Sequence, residues 1–198
     1  MSNETPSQTV GPYFAYGLLP HTYARRSIAT HRISNPDTPG EHIRVAGRVL
    51  DGNGTPIEDA MLEIWQADAD GRYASPADPN SSLRADNRFH GFGRTGTTPQ
   101  GEFAFETIKP GRVRGTGNAL QAPHLNLIVF SRGLLTHVYT RIYFDDEEAA
   151  NAEDEILAMV EKERRPTLIA KREKDGFGIT YRFDIHMQGE QETVFLEA

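Results

Sequence analysis

The sequence predicts a mainly β fold, a sandwich or barrel of short strands with one principal helix at about 146–163. Three observations point there. Several short runs alternate apolar and polar residues at period two, "IRVAGRVL" and "GITYRFDIHMQ" among them. Turn signals such as "DGNGTP", "ADADG" and "KPG" punctuate these runs. One stretch alone, "DDEEAANAEDEILAMVEKER", reads as a helix: its acids crowd the N-terminal end and its bases the C-terminal end, which suits the macrodipole. No internal repeat or linker divides the chain. The expected organisation is an arm at 1–40 and a single β-sandwich domain at 41–198.

The elements follow in order. Residues 1–40 are rich in Pro, Ser, Thr, Asn and Gly, which reads as an irregular arm. Within it, "TVGPYF" carries two aromatics and a rigid Gly-Pro, residues that dock rather than float. "IRVAGRVL" and "AMLEIWQ" flank "DGNGTP" and read as a hairpin-like pair. Residues 74–100 form a long polar stretch with little regular pattern, and loops of that length are commonly functional. "GEFAFETI" is a strand closed by "KPG". "HLNLIVF" is a strand whose one face carries His124, Asn126, Ile128 and Phe130, with Arg132 just beyond. "LTHVYTRIYF" is the next, with Val138, Thr140, Ile142 and Phe144 on one face. After the helix, "TLIAKRE", "GITYRFDIHMQ" and "ETVFLE" return to strand.

Composition sets limits on function. The 198 residues carry a formal net charge of −7, with no basic block or stripe, so no nucleic-acid partner is expected. The absence of cysteine excludes disulfides and Cys-ligated zinc or iron–sulfur sites, and it fits a cytoplasmic location. The start, "MSNETPSQTVGPYF", has no signal-peptide pattern, and no apolar run is long enough to cross a membrane.

The chemistry-bearing candidates are few. A strand that binds metal often carries His-x-His; here the second position is Asn126. His137 and Tyr139 lie on the following strand and His90 in the long loop, but no close cluster of ligands appears. The residues alone favour a packed histidine over a metal site. Arg132, at a strand end, is either solvated or a two-pronged clamp for a carboxylate. Glu63 is either a base or the partner of an arginine. There is no Gly-x-Ser-x-Gly elbow, P-loop or dinucleotide fingerprint, and "GNG" at 52–54 is a turn. Taken alone, the residues describe a β-rich domain that binds, supports, or serves as a subunit of something larger.

Several stretches together add a resemblance. "VAGRVLDGNGTPIEDAMLEIWQADADGRY" resembles the signature of the intradiol ring-cleavage dioxygenases, with Asp-x-x-Gly-x-Pro, Glu-x-Trp-Gln-Ala and Gly-x-Tyr in sequence. "TPSQTVGPYF" is similar to the family's N-terminal arm. "GEFAFETIKPG" and "PTLIAKREKDGFGITYRFDIHMQGEQETVFLEA" match further segments, so the likeness covers nearly the whole chain. It implies an intradiol dioxygenase-type β-sandwich with long loops. Catalytic members hold Fe(III) through two tyrosines and two histidines, the latter as His-x-His. Against that pattern this chain keeps His124, has Asn126 for the second histidine and Val113 near one tyrosine. With no tyrosine between Tyr73 and Tyr139, the other tyrosine is expected to be missing too.

The tail and "TRIYFDDE" resemble most closely the alpha subunit of a two-subunit member that cleaves 3,4-dihydroxybenzoate with O2. The resemblance implies a homologous beta subunit that binds the Fe(III), while this chain completes the active site. It packs the 1–40 arm on the partner subunit, places Thr9, Gly11, Pro12 and Tyr13 of that arm, together with Arg132, at the substrate, and leaves His124, Asn126 and Val113 as a degenerate pseudo-site without metal. The alternatives are a homomeric catechol-type dioxygenase and a non-enzymatic binding module.

Overall fold

The computed structural model describes residues 17–78, 89–117 and 119–197. The strands are β1 (His42–Leu50), β2 (Met61–Gln66), β3 (Phe92–Gly96), β4 (Glu102–Ile108), β5 (Val113–Arg114), β6 (Leu120–Gln121), β7 (His124–Phe130), β8 (Val138–Phe144), β9 (Ile169–Asp175), β10 (Gly178–Arg182) and β11 (Ile185–His186). From β4 the sheet runs through β1, β10, β9, β8, β7 and β2 to β3. Its two halves join through a short parallel pairing of β8 with β9, Tyr143 opposite Ile169 and Phe144 opposite Ala170. They fold over one core that includes Val45, Leu62, Phe105, Leu127, Ile142, Phe144 and Tyr181. Each such side chain, fully buried, contributes about 1.5–3 kcal/mol.

The two ends of this path, β3 and β4, are spanned by the segment before β1. Thr30 O accepts from Arg94 N on β3 at 3.0 Å, His31 O from Glu106 N on β4 at 2.9 Å, and Ile33 N donates back to Glu106 O at 3.0 Å. The sheet is therefore nearly closed, and the segment hides two edges that would otherwise expose unpaired backbone. Ile33 crosses directly over Gly93, where a Cβ would come within 2.8 Å of its Cγ2. The arm expected over 1–40 is described from residue 17, and its Thr30–Ile33 part belongs to this chain's own sheet.

Alternation puts the right residues inward. On β7, Leu125, Leu127 and Val129 are wholly buried in the core, and His124, Asn126, Ile128 and Phe130 take the opposite face. β8 follows suit, with Thr140, Ile142 and Phe144 inward and Tyr139, Arg141 and Tyr143 outward.

Five expectations change. First, β1 and β2 do not pair: β1 lies between β4 and β10, while β2 lies between β3 and β7. "DGNGTP" does form its turn, closed by Asp51 N to Thr55 O at 2.9 Å, but the chain then crosses to the other half of the sheet. Second, the stretch 74–100 contains β3 at 92–96, antiparallel to β2. Third, the helix at about 146–163 is two short ones, α1 (Glu148–Glu153) and α2 (Glu155–Met159). They break at Asp154, whose backbone is extended (φ −74°, ψ 121°) and whose carboxylate caps α2 by accepting from Ile156 N and Leu157 N. Fourth, "ETVFLE" is no ladder strand; it makes one bridge, Leu196 to Tyr139. The run "GITYRFDIHMQ" is also interrupted at Phe183–Asp184, although β10 and β11 lie along β1 in one continuous register. At the break the chain passes so close that a Cβ on Gly47 would sit 1.8 Å from the Phe183 carbonyl oxygen.

Candidate functional site

Register assembles the site. On the outer face of β2, β7 and β8, Trp65 stands opposite Asn126, Asn126 opposite Arg141, and His124 opposite Tyr143. The loop after β2 brings Tyr73 over this face, where its ring lies nearly parallel to Trp65 (10° between planes, centroids 6.0 Å apart). Beneath and beside it, Tyr143, Ala122, Leu157, Val160 and Leu168 form a small second core under the helices.

Asn126 is the hub. Its Nδ2 donates to Trp65 O at 3.2 Å and to the Tyr73 hydroxyl at 3.1 Å, and its Oδ1 accepts from the Tyr139 hydroxyl. Both ends of the amide are committed, which fixes its orientation. His124, 1% exposed, donates from Nδ1 to Ala122 O at 2.7 Å. A carbonyl can only accept, so the proton sits on Nδ1 and the lone pair of Nε2 faces the Tyr73 hydroxyl at 3.5 Å. Burial, with the Arg141 charge acting in the same direction, pushes His124 down to about 4. Burial raises the Tyr73 phenol above its ordinary value, against the opposing influence of Asn126 and Arg141. Both groups are thus neutral near pH 7.

The ring of His124 is held from behind by Asp154. Its Oδ2 accepts from Ala122 N at 2.8 Å, and its Oδ1 accepts from Tyr143 Oη at 3.0 Å, Ile156 N at 3.0 Å and Leu157 N at 2.8 Å. One buried carboxylate so ties the α2 N-terminus, β8 and the residue that orients His124. Arg141 reaches Gln121 Oε1 at 3.1 Å, while its buried Nε has no partner.

These donors do not fit Fe(III). A ferric site of the expected kind combines phenolates with imidazoles, and it needs several such donors aimed at one point. Here one imidazole nitrogen and one phenol are available, Asn126 is fully engaged, and a guanidinium stands alongside. Among the described residues no group of three or more His, Asp or Glu converges as a metal site.

The structure brings His124 and Asn126 together as the sequence implied, and Val113 lines the same cleft as Tyr73 and Trp65. It corrects the count of tyrosines: Tyr73 does reach the site, from outside the interval between Tyr73 and Tyr139 where a second one was sought. Tyr139, weighed in the sequence as a neighbour of His124, reaches Asn126 instead, while Arg141 and Asp154 were missed; the register of β8 against β7 was the signal for Arg141. Glu63 is an ion-pair partner, 2.5 Å from Arg94, with both side chains largely buried. His137 packs on Phe130 and is exposed. Arg132 lies in the turn past the far end of β7, which spans roughly 20 Å from His124 to Phe130 at the rise of a strand, and pairs with Asp59. Thr9, Gly11, Pro12 and Tyr13 lie outside the described residues.

The sequence matches the dioxygenase family over residues 10–189. It is 50% identical to the protocatechuate 3,4-dioxygenase alpha chain of Burkholderia cepacia, over 98% of this chain and 97% of that one. The chain belongs to the intradiol dioxygenase family. The beta chain of the same B. cepacia enzyme is 32% identical over 84% of this chain and 72% of its own length. The fold is shared with an intradiol ring-cleavage dioxygenase from Tetranychus urticae at a TM-score of 0.60, with 20% identity, 93% of this chain and 94% of that one covered. The family is iron-dependent, which sharpens the contrast with the donor set around His124.

Proposed function

We propose that this chain is the alpha subunit of a two-subunit protocatechuate 3,4-dioxygenase. It acts with a homologous beta subunit that carries the Fe(III). The complex cleaves the bond between the two hydroxylated carbons of 3,4-dihydroxybenzoate with O2, giving 3-carboxy-cis,cis-muconate. The observation that carries this reading is Asn126: a side chain engaged at both ends stands where a catalytic chain would need a second imidazole. Near-full-length similarity to an alpha chain supports it, as does the more distant similarity to a beta chain. A homomeric enzyme would need this chain to hold the metal itself, and its donors do not suit that task.

In this reading the chain contributes shape and charge to the partner's site. The arm residues Thr9, Gly11, Pro12 and Tyr13 line the substrate pocket: glycine allows close backbone approach, proline stiffens, and Tyr13 adds apolar area with a hydroxyl. Arg132 meets the substrate's carboxylate. Its side chain is 58% exposed and its present partner, Asp59, is 34% exposed, so a substrate anion competes with a half-solvated pair.

Co-expression with the beta subunit tests the proposal. The complex is expected to turn over 3,4-dihydroxybenzoate, and each chain alone is not. Within that complex, Arg132→Ala is expected to reduce kcat/KM for 3,4-dihydroxybenzoate about ten- to a hundred-fold and to affect catechol, which lacks the carboxylate, much less. Equal losses for both would remove Arg132 from the substrate.

A further inference from the structure

Asn53–Gly54, in the turn after β1, is the one Asn-Gly pair of the chain. Both residues are exposed, and a Cβ added at Gly54 would meet no atom within 4 Å. Gly54 has φ +78°, and without a side chain it leaves its amide nitrogen unshielded beside the Asn53 side chain. The Asn53 carboxamide makes no hydrogen bond among the described residues, so nothing fixes its rotamer. The turn itself is held by Asp51. Its Oδ1 accepts from Asn53 N at 2.9 Å and Thr55 N at 2.8 Å, and its carbonyl accepts from Gly54 N at 3.1 Å. Comparable positions elsewhere are blocked. Asn35 precedes Pro36, which has no N–H. The Asn126 amide is bound to Trp65 O and the Tyr73 hydroxyl, and the Asn151 amide to Phe144 O. Among the acids that precede a glycine, Asp70 pairs with Arg72 at 2.6 Å and Asp175 accepts from Phe177 N at 2.8 Å.

We propose that Asn53 is a site of non-enzymatic deamidation and isomerisation, and that Asp51 restrains its rate. Hydroxide takes the Gly54 N–H proton, and the nitrogen attacks Asn53 Cγ. The N–Cγ bond forms, the Cγ–Nδ2 bond breaks, and ammonia leaves with a proton from water, giving a cyclic imide. Water then opens the imide. Cleavage at Cγ leaves aspartate; cleavage at the main-chain carbonyl leaves isoaspartate, in which the chain runs through the former side chain. Nothing is oxidised or reduced, and either product adds one unit of negative charge. Before attack, Gly54 N must leave Asp51 O, and Asn53 must turn against the carboxylate that holds its N–H. Isoaspartate lengthens the main chain by a methylene, which strains the turn closed by Asp51 N to Thr55 O at 2.9 Å. It also presents a free α-carboxylate, the group that isoaspartate carboxyl methyltransferases modify. The inference goes beyond the proposed function and does not depend on it, since neither iron nor the beta subunit takes part.

Incubation of the full-length chain in mildly alkaline buffer, followed by peptide mapping with mass spectrometry, tests the proposal. Asn53 is expected to convert from amide to acid ahead of Asn35, Asn126 and Asn151, and faster as the pH rises, because base frees the Gly54 nitrogen. Isoaspartate in that peptide is read as methyl transfer from S-adenosylmethionine by an isoaspartate carboxyl methyltransferase. Asn53→Gln is expected to remove the main acidic species on isoelectric focusing, because attack on the longer side chain closes a larger ring more slowly. Asp51→Ala is expected to speed conversion about tenfold, the equivalent of one lost charge-assisted hydrogen bond. Asp51→Ser, which keeps a shorter acceptor, is expected to fall between, and far-ultraviolet circular dichroism checks that both variants are folded. Conversion at Asn53 no faster than at Asn35, Asn126 or Asn151, or the same acidic species in the Asn53→Gln chain, would overturn the site. Unchanged rates in both Asp51 variants would overturn the restraint. Because the incubation needs no partner, these outcomes are independent of whether the chain assembles with a beta subunit.

Discussion

Asp154 offers a quantitative test of how the outer face is held. It is fully buried and accepts from Ala122 N, Tyr143 Oη, Ile156 N and Leu157 N. Asp154→Ala removes an N-cap, about 1 kcal/mol. It also strands the buried Ala122 N–H and Tyr143 O–H, at about 1–3 kcal/mol each. The expected total is about 3–7 kcal/mol, read as a lower urea midpoint at unchanged slope. The pair with Tyr143→Phe sharpens the test. In the unaltered chain that substitution costs about 1 kcal/mol, but in the Asp154→Ala background it removes a stranded hydroxyl and restores stability. A coupling energy of about 1–3 kcal/mol is therefore expected. Asp154→Asn, which keeps the shape but turns an NH2 toward either Ala122 N–H or the other donors, should fall between wild type and Ala. A loss below about 1 kcal/mol for Asp154→Ala, or strict additivity of the pair, would refute the reasoning.

Two further outcomes follow from buried charge. The folded pKa of His124 lies near 4, below its unfolded value of about 6.5, so the unfolded chain takes up the proton first. Its contribution is complete above about pH 6.5 and is lost as the pH falls toward 4, a span of about 3 kcal/mol. The difference in urea stability between wild type and His124→Gln should shrink through that window, and a difference independent of pH would count against the assigned protonation. Glu63→Gln leaves Arg94 buried beside a neutral group, so a loss of about 3–5 kcal/mol is expected, whereas Glu63→Gln with Arg94→Met should recover most of it; thermal denaturation of the set decides, and an unimproved double variant would contradict the pairing.

Much of this was legible in the sequence because it is local. The residues of β7 and β8 divide between two faces at period two, so their faces could be assigned residue by residue, although His124 and Tyr143 are buried on the outer face as well. β3 escaped because Phe92–Gly96 includes two glycines, poor strand formers that are kept here by pairing with β2 and by the close passage of Ile33 over Gly93. The β1–β2 pairing failed for a different reason: a turn signal fixes the turn, while tertiary packing chooses the partner. The helix break did have a signature, since Asp154 precedes Glu155, Ile156 and Leu157 as an N-cap precedes an apolar turn, but the continuous run of helix formers around it masked that signal. Tyr73 was legible only as the Gly-x-Tyr of the family signature, not as a site residue, because the path of the loop after β2 and no periodicity brings it to His124.

The central claim is that the ring-cleaving complex depends on this chain for shape and charge and on its partner for metal. Metal analysis of the purified chain beside the co-expressed complex tests it most directly. The account predicts a single iron per alpha–beta pair, lost entirely when the beta subunit is absent, and a colourless isolated chain. Stoichiometric iron in the isolated chain, removed by His124→Gln or Tyr73→Phe, would contradict it.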